Sequence, residues 1–434
     1  MLKNSLVSHK SPHIVSHCRK FFWLHPLSIV IICCALIIPC YQRVDWTLTF
    51  NLNWYEIFWL IPLPFALVSF LGLCLPHRRE SNLAKYPLRE LGTLYICLVT
   101  KGTNQKIVEN SYWLMKSLES ERVRLRVVSD RPLNVPHLLV PKSFQTKFAK
   151  YKARALEFFR LETQLKDNDW VLHLDEESVI DPQGIAACID FCQRSPHLMG
   201  QGSILYNNRN FWRHPLIAIA DCIRVGDDLA RFYLQFAYLH KPIFGIHGSF
   251  LLVNGRIENE ITWDLSDSLT EDYEFSVEYM RRGHTCGYVD GLVREQSPES
   301  IVDFLKQRRR WMVGIRSIAK HSGWARMWTL IWSFNPVILG VGFASTANLV
   351  GAGELTSFMV FIPITFITTV YLYLYLLGGL IQDLDRGSNF SRTLLHLIGT
   401  SIFYPLAFVL ESAAVVWSYV SVSKHMGFQI VRKN

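Results

Sequence analysis

At residues 169–178 the chain reads DWVLHLDEES: a short run of strand-forming apolar residues that stops at three successive acids, Asp175, Glu176 and Glu177. A run of this length, bounded by charge, reads as a buried strand. Upstream, residues 94–99 form a second such run, ending at Thr100. Residues 122–128 alternate basic and apolar side chains at period two before Ser129-Asp130. Between these strands, residues 148–165 show helical spacing through Phe148, Tyr151, Ala155, Phe158, Phe159 and Glu162. Downstream, Asp181-Pro182 opens a helix, with Asp as N-cap and Pro in the first turn. Strands alternating with helices predict an α/β domain on a mostly parallel sheet. Ligands of such sheets gather beyond the carboxyl ends of the strands, and the three strand ends here are Thr100, Asp130 and Asp175, all polar.

The remainder of the chain is membrane-like. Of 434 residues, 50% are apolar and 19% charged, which excludes a disordered polar chain. Residues 21–41 and 55–75 are each about 20 residues of apolar sequence, long enough to span a bilayer. The first, with Lys3, Lys10, Arg19 and Lys20 before it, also fits a cleaved signal; the second span close behind favours an anchor hairpin. His77-Arg78-Arg79 then places residues 1–20 and the segment after Arg79 in the cytosol by the positive-inside rule. Further candidate spans cover 327–350, 355–381 and 394–420. Arg386 and Arg392 fit a cytosolic loop, which leaves Asn389-Phe390-Ser391 unglycosylated. Five spans put the C-terminus outside despite Lys424, Arg432 and Lys433, and Pro405 and Glu411 make the last segment the suspect. The expected units are an N-terminal hairpin (1–79), a cytosolic domain (80–325) and a C-terminal membrane region (326–434). Ten cysteines without a CxxC give neither a disulfide framework nor a zinc site. The net charge of +9 goes with membrane-facing helices; no nucleic-acid motif accompanies it.

Three clusters can carry chemistry. Asp175 and Glu177, on one side of an extended segment, can share a hard cation that also meets a diphosphate, although an acidic turn can equally be idle. Thr270-Glu271-Asp272 opens a helix. Ser268-x-x-Glu271 reads as a capping box there, which leaves Asp272 free as a general base. Gln307-Arg308-Arg309-Arg310-Trp311 sits in a basic amphipathic helix over 301–321, which fits an anionic lipid surface; Gln307, Arg310 and Trp311 also suit an acceptor sugar and a diphosphate. Lys152 and Arg154, at a helix start, are candidate phosphate contacts. His173 and His247 read as supporting groups rather than metal ligands.

Across about 230 residues, a strand-end Asp130, DEE at 175–177, TED at 270–272 and QRRRW at 307–311 resemble the family 2 glycosyltransferases of GT-A fold. HLDEES, GQGSILY (200–206), DCIRVGDDLARFYLQF (221–236), SPESIVDFLKQRRRW (297–311) and ESAAVVWSYV (411–420) resemble, more narrowly, the Egghead-type mannosyltransferases of animals. The resemblance implies transfer of mannose from GDP-mannose to the 4-hydroxyl of glucosylceramide, in β1,4 linkage with inversion, by an integral membrane enzyme of the endoplasmic reticulum or Golgi. It implies Asp130 and Thr100 at the guanosine, Lys152 and Arg154 near the phosphates, and Asp175 with Glu177 on Mn²⁺ or Mg²⁺. Asp272 is then the base, and Glu271, Gln307, Arg310 and Trp311 are on the acceptor and diphosphate side. Glu177 stands where the family's D-x-D pattern has Asp; it still offers a carboxylate to a divalent ion. Asp227 and Asp228 are marked by the resemblance without a physical role. The rival readings are a processive polysaccharide synthase, a dolichyl-phosphate mannosyltransferase and a non-catalytic membrane scaffold. Polymer, a lipid product without a glucosyl unit, and failure to bind GDP would respectively favour them.

Overall fold

In chain order, the computed structural model begins with two helices, α1 (Ile14–Lys20) and α2 (Leu24–Cys40), that meet at a bend of 74°. The structure describes residues 14–47, 60–78, 88–209, 211–319, 333–335, 337–338 and 356–420. The third helix, α3 (Leu63–Leu73), has 11 residues, or about 16 Å at 1.5 Å per residue, half of a bilayer core. The span expected over 55–75 is therefore described only in part, and residues 55–59 lie outside the described residues, as does the span expected over 327–350 apart from 333–335 and 337–338.

The central domain follows the predicted alternation. Its elements are β1 (Leu94–Thr100), α4 (Gln105–Met115), β2 (Val123–Ser129), β3 (Leu138–Leu139), α5 (Tyr151–Thr163), β4 (Trp170–Asp175), β5 (Val179–Ile180) and α6 (Pro182–Arg194). Then come β6 (Met199–Leu205), α7 (Pro215–Asp227), β7 (Leu251–Asn254), α8 (Gly255–Ile261), α9 (Glu271–Arg281), β8 (Cys286–Arg294) and α10 (Ile301–Ala319). One eight-stranded sheet runs β3-β2-β1-β4-β7-β6-β8-β5. The pairs β3/β2, β2/β1, β1/β4 and β6/β8 are parallel, whereas β7 runs antiparallel to β4 and β6, and β5 to β8. Strands β1 and β4 are apolar nearly throughout because they lie inside the sheet, while β2 keeps Arg124 and Arg126 exposed on its alternate face.

Two local expectations are corrected. The helix expected from Phe148 starts at Tyr151, because the Asp264 carboxylate accepts the backbone N–H groups of Lys147, Phe148 and Ala149 at 2.7–2.9 Å. The capping box at Ser268 and Glu271 does not form. Ser268 Oγ accepts from Thr270 N at 3.1 Å, and Thr270, the N-cap of α9, makes no side-chain cap bond. Asp181 does cap α6, accepting from Gly184 N at 2.8 Å.

Two C-terminal helices, α11 (Phe358–Asp385) and α12 (Phe390–Val420), are long and apolar enough to cross a membrane; the bent pair α1–α2 makes a third if it counts as one span. The helix α12 runs on through Pro405, and Glu411, the residue that made this segment suspect, is neutralised by Arg308 at 2.8 Å. The foot of α11 is bolted to the sheet. Asp385 receives both Nε and Nη2 of Arg294 at 2.8 and 2.7 Å and Asn207 Nδ2 at 2.8 Å, and Gln382 accepts Tyr206 N at 2.8 Å. Higher up, α7 and α11 touch backbone to backbone: a Cβ on Gly378 would sit 1.9 Å from the Cys222 carbonyl oxygen. Two basic residues of α10 are turned onto α12. Arg309 lies over Trp417 at 4.8 Å, and Arg316 lies over Tyr419 at 3.8 Å and donates to Ser418 O at 2.8 Å.

Candidate active site

The polar strand ends converge, with a division of labour that the sequence did not disclose. Thr100 Oγ1 and Asn104 Nδ2 both donate to the Glu176 carboxylate. This ties the middle acid of the triplet into the turn after β4. Thr100, expected beside the guanosine, thus has its hydroxyl committed to Glu176. Asp130 accepts from Arg154 Nη2 at 2.5 Å, and Arg154 also donates to the carbonyls of Pro141 and Phe144 at 3.3 and 3.0 Å. Arg154, expected at the phosphates, is thus engaged in positioning Asp130.

The outer acids of the triplet meet a third. One carboxylate oxygen each of Asp175, Glu177 and Glu295 lies within 4.8 Å of the other two. Glu177 and Glu295 are buried. Burial, then the nearby charge of Asp175, pushes the Glu295 carboxyl up, against Arg224 and hydrogen bonds from Ser249 and Ser178. Glu295 was missed in the sequence; its one signal is an acid placed directly after the strand-like run that became β8. Three oxygen donors of this kind suit a hard divalent cation such as Mn²⁺ or Mg²⁺.

Opposite them, Lys152 Nζ lies 2.6 Å from Asp175 Oδ1 and 3.3 Å from Glu271 Oε1. Burial works against its charge, but Asp175, Glu271 and Asp272 together outweigh that and hold the ammonium above the ordinary lysine range. Glu271 is thereby used in an ion pair inside the site, which is why it does not reach back to cap α9. Asp272, in the first turn of α9, is pushed up to about 7. Burial is the main cause and the Glu271 charge the next, with Lys152 and the Tyr273 N–H acting in the other direction. A carboxyl poised near neutrality suits a general base. The approach of Asp272 and Lys152 depends on Gly248, where a Cβ would fall 2.8 Å from Asp272 Oδ2 and 3.2 Å from Lys152 Nζ. Gly248→Ala is expected to lower turnover roughly 10- to 100-fold by displacing both groups, with the melting temperature little changed. A steady-state rate and a melting curve check it.

Every expected site residue except Arg154 lines one cavity of about 410 Å³. Gln307, Arg310 and Trp311 enter it from α10. Trp311, expected to offer its ring to a sugar, is instead packed by Arg224 and Arg308 at 4.6 and 4.5 Å. The two unexplained acids also gain partners. Asp228 accepts from Ile204 N at 2.9 Å and faces His247 Nε2 at 2.7 Å, and Asp227 accepts from Arg231 Nε at 2.9 Å. His247, on the cavity wall, is thus held by a carboxylate, whereas His173 pairs with Glu258 in the core. From the acids the cavity continues between the apolar helices, where Phe65 of α3, Tyr371 and Leu374 of α11 and Phe408 of α12 form its walls.

Comparison with known proteins agrees with this architecture. Residues 170–381 match the glycosyl transferase family group 2. The beta-1,4-mannosyltransferase bre-3 of Caenorhabditis briggsae is 31% identical over 394 residues, covering 82% of this chain and 83% of its own. The beta-1,4-mannosyltransferase egh of Drosophila melanogaster is 28% identical over 406 residues, 86% of each chain. The Caenorhabditis elegans bre-3 protein is 30% identical over 394 residues, covering 82% and 83%.

Proposed function

Because the chain belongs to the glycosyl transferase family group 2 and, within it, to the beta-1,4-mannosyltransferases of the egh and bre-3 type, we propose that it moves mannose from GDP-mannose to the 4-hydroxyl of glucosylceramide, with inversion. The observation that carries the lipid acceptor is the single cavity that joins Asp272 and the strand-end acids to the space between α3, α11 and α12. A water-soluble acceptor has no use for that apolar extension, whereas an amphiphile needs both ends of it.

In this mechanism Asp272 takes the proton from the acceptor hydroxyl as that oxygen attacks the anomeric carbon from the face opposite the nucleotide. One displacement converts an α donor into a β product, so no covalent sugar–enzyme bond is needed. Asp175, Glu177 and Glu295 would hold a divalent cation, which supplies countercharge to the diphosphate. Lys152, the buried cation beside them, offsets the acids and keeps Asp175 and Glu271 in place. Arg310, on the cavity wall, offers a further positive group to the leaving phosphates, and preorganised charge of this kind stabilises the transition state without reorganising. Asp130, presented by Arg154, contacts the guanosine. The domain faces the cytosol of the endoplasmic reticulum or Golgi in this reading, which His77 and Arg78 after the second apolar segment support.

The test is incubation of the detergent-purified full chain with Mn²⁺, glucosylceramide and either GDP-mannose or UDP-sugars, with the lipid product identified by mass and linkage. A single β1,4-linked hexose formed from GDP-mannose alone is expected. A product from UDP-sugars, a polymer, or no lipid product would overturn the assignment of donor and acceptor.

A further inference from the structure

The cavity holds a second polar patch, built on Arg231 and Asn335. Both side chains line it, and their residues are 6% and 5% exposed. Arg231 gives Nε and Nη2 to the Asp227 carboxylate, but its Nη1 has no partner among the described residues. Asn335 donates Nδ2 to the Tyr371 hydroxyl, and its Oδ1 likewise has no partner among them. The two groups share a neighbourhood, since Tyr371, bonded to Asn335, is in electrostatic reach of both Arg231 and Asp227. A buried donor and a buried acceptor, each removed from water and each left open, are rare in folded proteins without something that pairs with them. Asp227 and Tyr371 fix the two groups from behind, so the open atoms are held in place before anything binds.

We propose that Arg231 Nη1 and Asn335 Oδ1 form a subsite for the polar linkage of the acceptor lipid and select a linkage that both accepts and donates a hydrogen bond, as a secondary amide does. The inference rests on the lipid-acceptor reading above. An amide oxygen accepts from Arg231 while the amide N–H donates to Asn335, and the hydrocarbon continues along Phe65, Leu374 and Phe408. A sphingoid lipid carries such an amide. A diacylglycerol lipid carries esters, which accept but do not donate, and so leaves Asn335 Oδ1 buried and unmatched. Leaving one polar group unmatched is worth about tenfold in affinity.

The experiment compares glucosylceramide with glucosyl-diacylglycerol of equal chain length, in phosphatidylcholine nanodiscs containing the full chain. Lipid binding and mannose transfer are both measured. The unaltered protein is expected to prefer the amide lipid about tenfold in binding and in KM. Asn335→Leu and Arg231→Lys are expected to weaken the amide lipid and leave the ester lipid and GDP affinity unchanged, with an unaltered melting temperature excluding misfolding. Equal binding of the two lipids by the unaltered protein, or equal loss of both in the variants, overturns the subsite and makes water the partner of both groups. An amide preference in binding without transfer from any nucleotide sugar upholds the subsite and overturns the enzymatic reading. Transfer to both lipids at equal rates does the reverse.

Discussion

Asp272→Asn is expected to lower the rate of sugar transfer by about 10²- to 10⁴-fold while GDP affinity stays close to that of the unaltered protein. Asparagine has the same shape and cannot take a proton, so the substitution removes the base and leaves the cavity intact. In the proposed function the donor is held by Asp130, Lys152 and the three acids Asp175, Glu177 and Glu295, none of which the substitution alters, so donor binding should survive. The pH profile is a second reading of the same group. With its carboxyl pushed up to about 7 by burial and by Glu271, Asp272 is increasingly protonated below that value, so kcat/KM falls toward tenfold per pH unit on the acid side. Stability moves the other way. The folded-state value lies above the ordinary 3.8 of the unfolded chain, so the native state binds this proton more tightly. The penalty of carrying the buried charge is fully present above about pH 7 and fades as pH falls toward 4. Asp272→Asn should therefore raise the melting temperature at pH 8 and raise it less at pH 5. A large loss of GDP affinity in this variant would move Asp272 from the base to the donor site.

The strand ends were legible because period and polarity change at the same residue. Leu94–Thr100, Val123–Ser129 and Trp170–Asp175 each turn polar within a residue of where the sequence analysis ends them, and a parallel sheet obliges those ends to meet. The contributions of residues far along the chain were not legible. Glu295 joins Asp175 and Glu177 only because β8 pairs with β6 and β5 on the other half of the sheet. Local chemistry also misled wherever a distant partner offered more. Ser268-x-x-Glu271 is a sound capping signal, yet Lys152 takes Glu271, and Asp264 takes the backbone donors that would have begun α5 three residues earlier. Nothing local in the basic stripe of α10 shows that Trp417, Tyr419 and Glu411 of another helix meet its arginines.

The second large effect comes from that stripe. Arg308→Met is expected to destabilise the protein by about 3–5 kcal/mol, seen as a fall in melting temperature or in the denaturant midpoint. Arg308 Nη2 donates to Asp221 Oδ1 at 2.7 Å and its Nε to Glu411 Oε1 at 2.8 Å, so one side chain 3% exposed joins α10 to α7 and α12. Burial opposes its charge, but Glu411 and Asp221 hold the guanidinium above the ordinary arginine range. Methionine keeps much of the volume and strands two carboxylates, of which Asp221 retains Arg224 at 3.6 Å and Glu411 loses its partner. The triple variant Arg308→Met, Asp221→Val, Glu411→Leu should recover most of the lost stability, because an apolar set of similar volume carries no desolvation penalty. Transfer activity is expected to separate from stability there. Arg308 ties α10 to α7 and α12, and the residues beside it, Gln307, Arg310 and Trp311, line the cavity. A displacement of about 1 Å at such groups costs up to 10²-fold in rate. A triple variant that is stable but slow makes the charge cluster a device for orienting α10, whereas one that is stable and fully active reduces it to a replaceable element of packing.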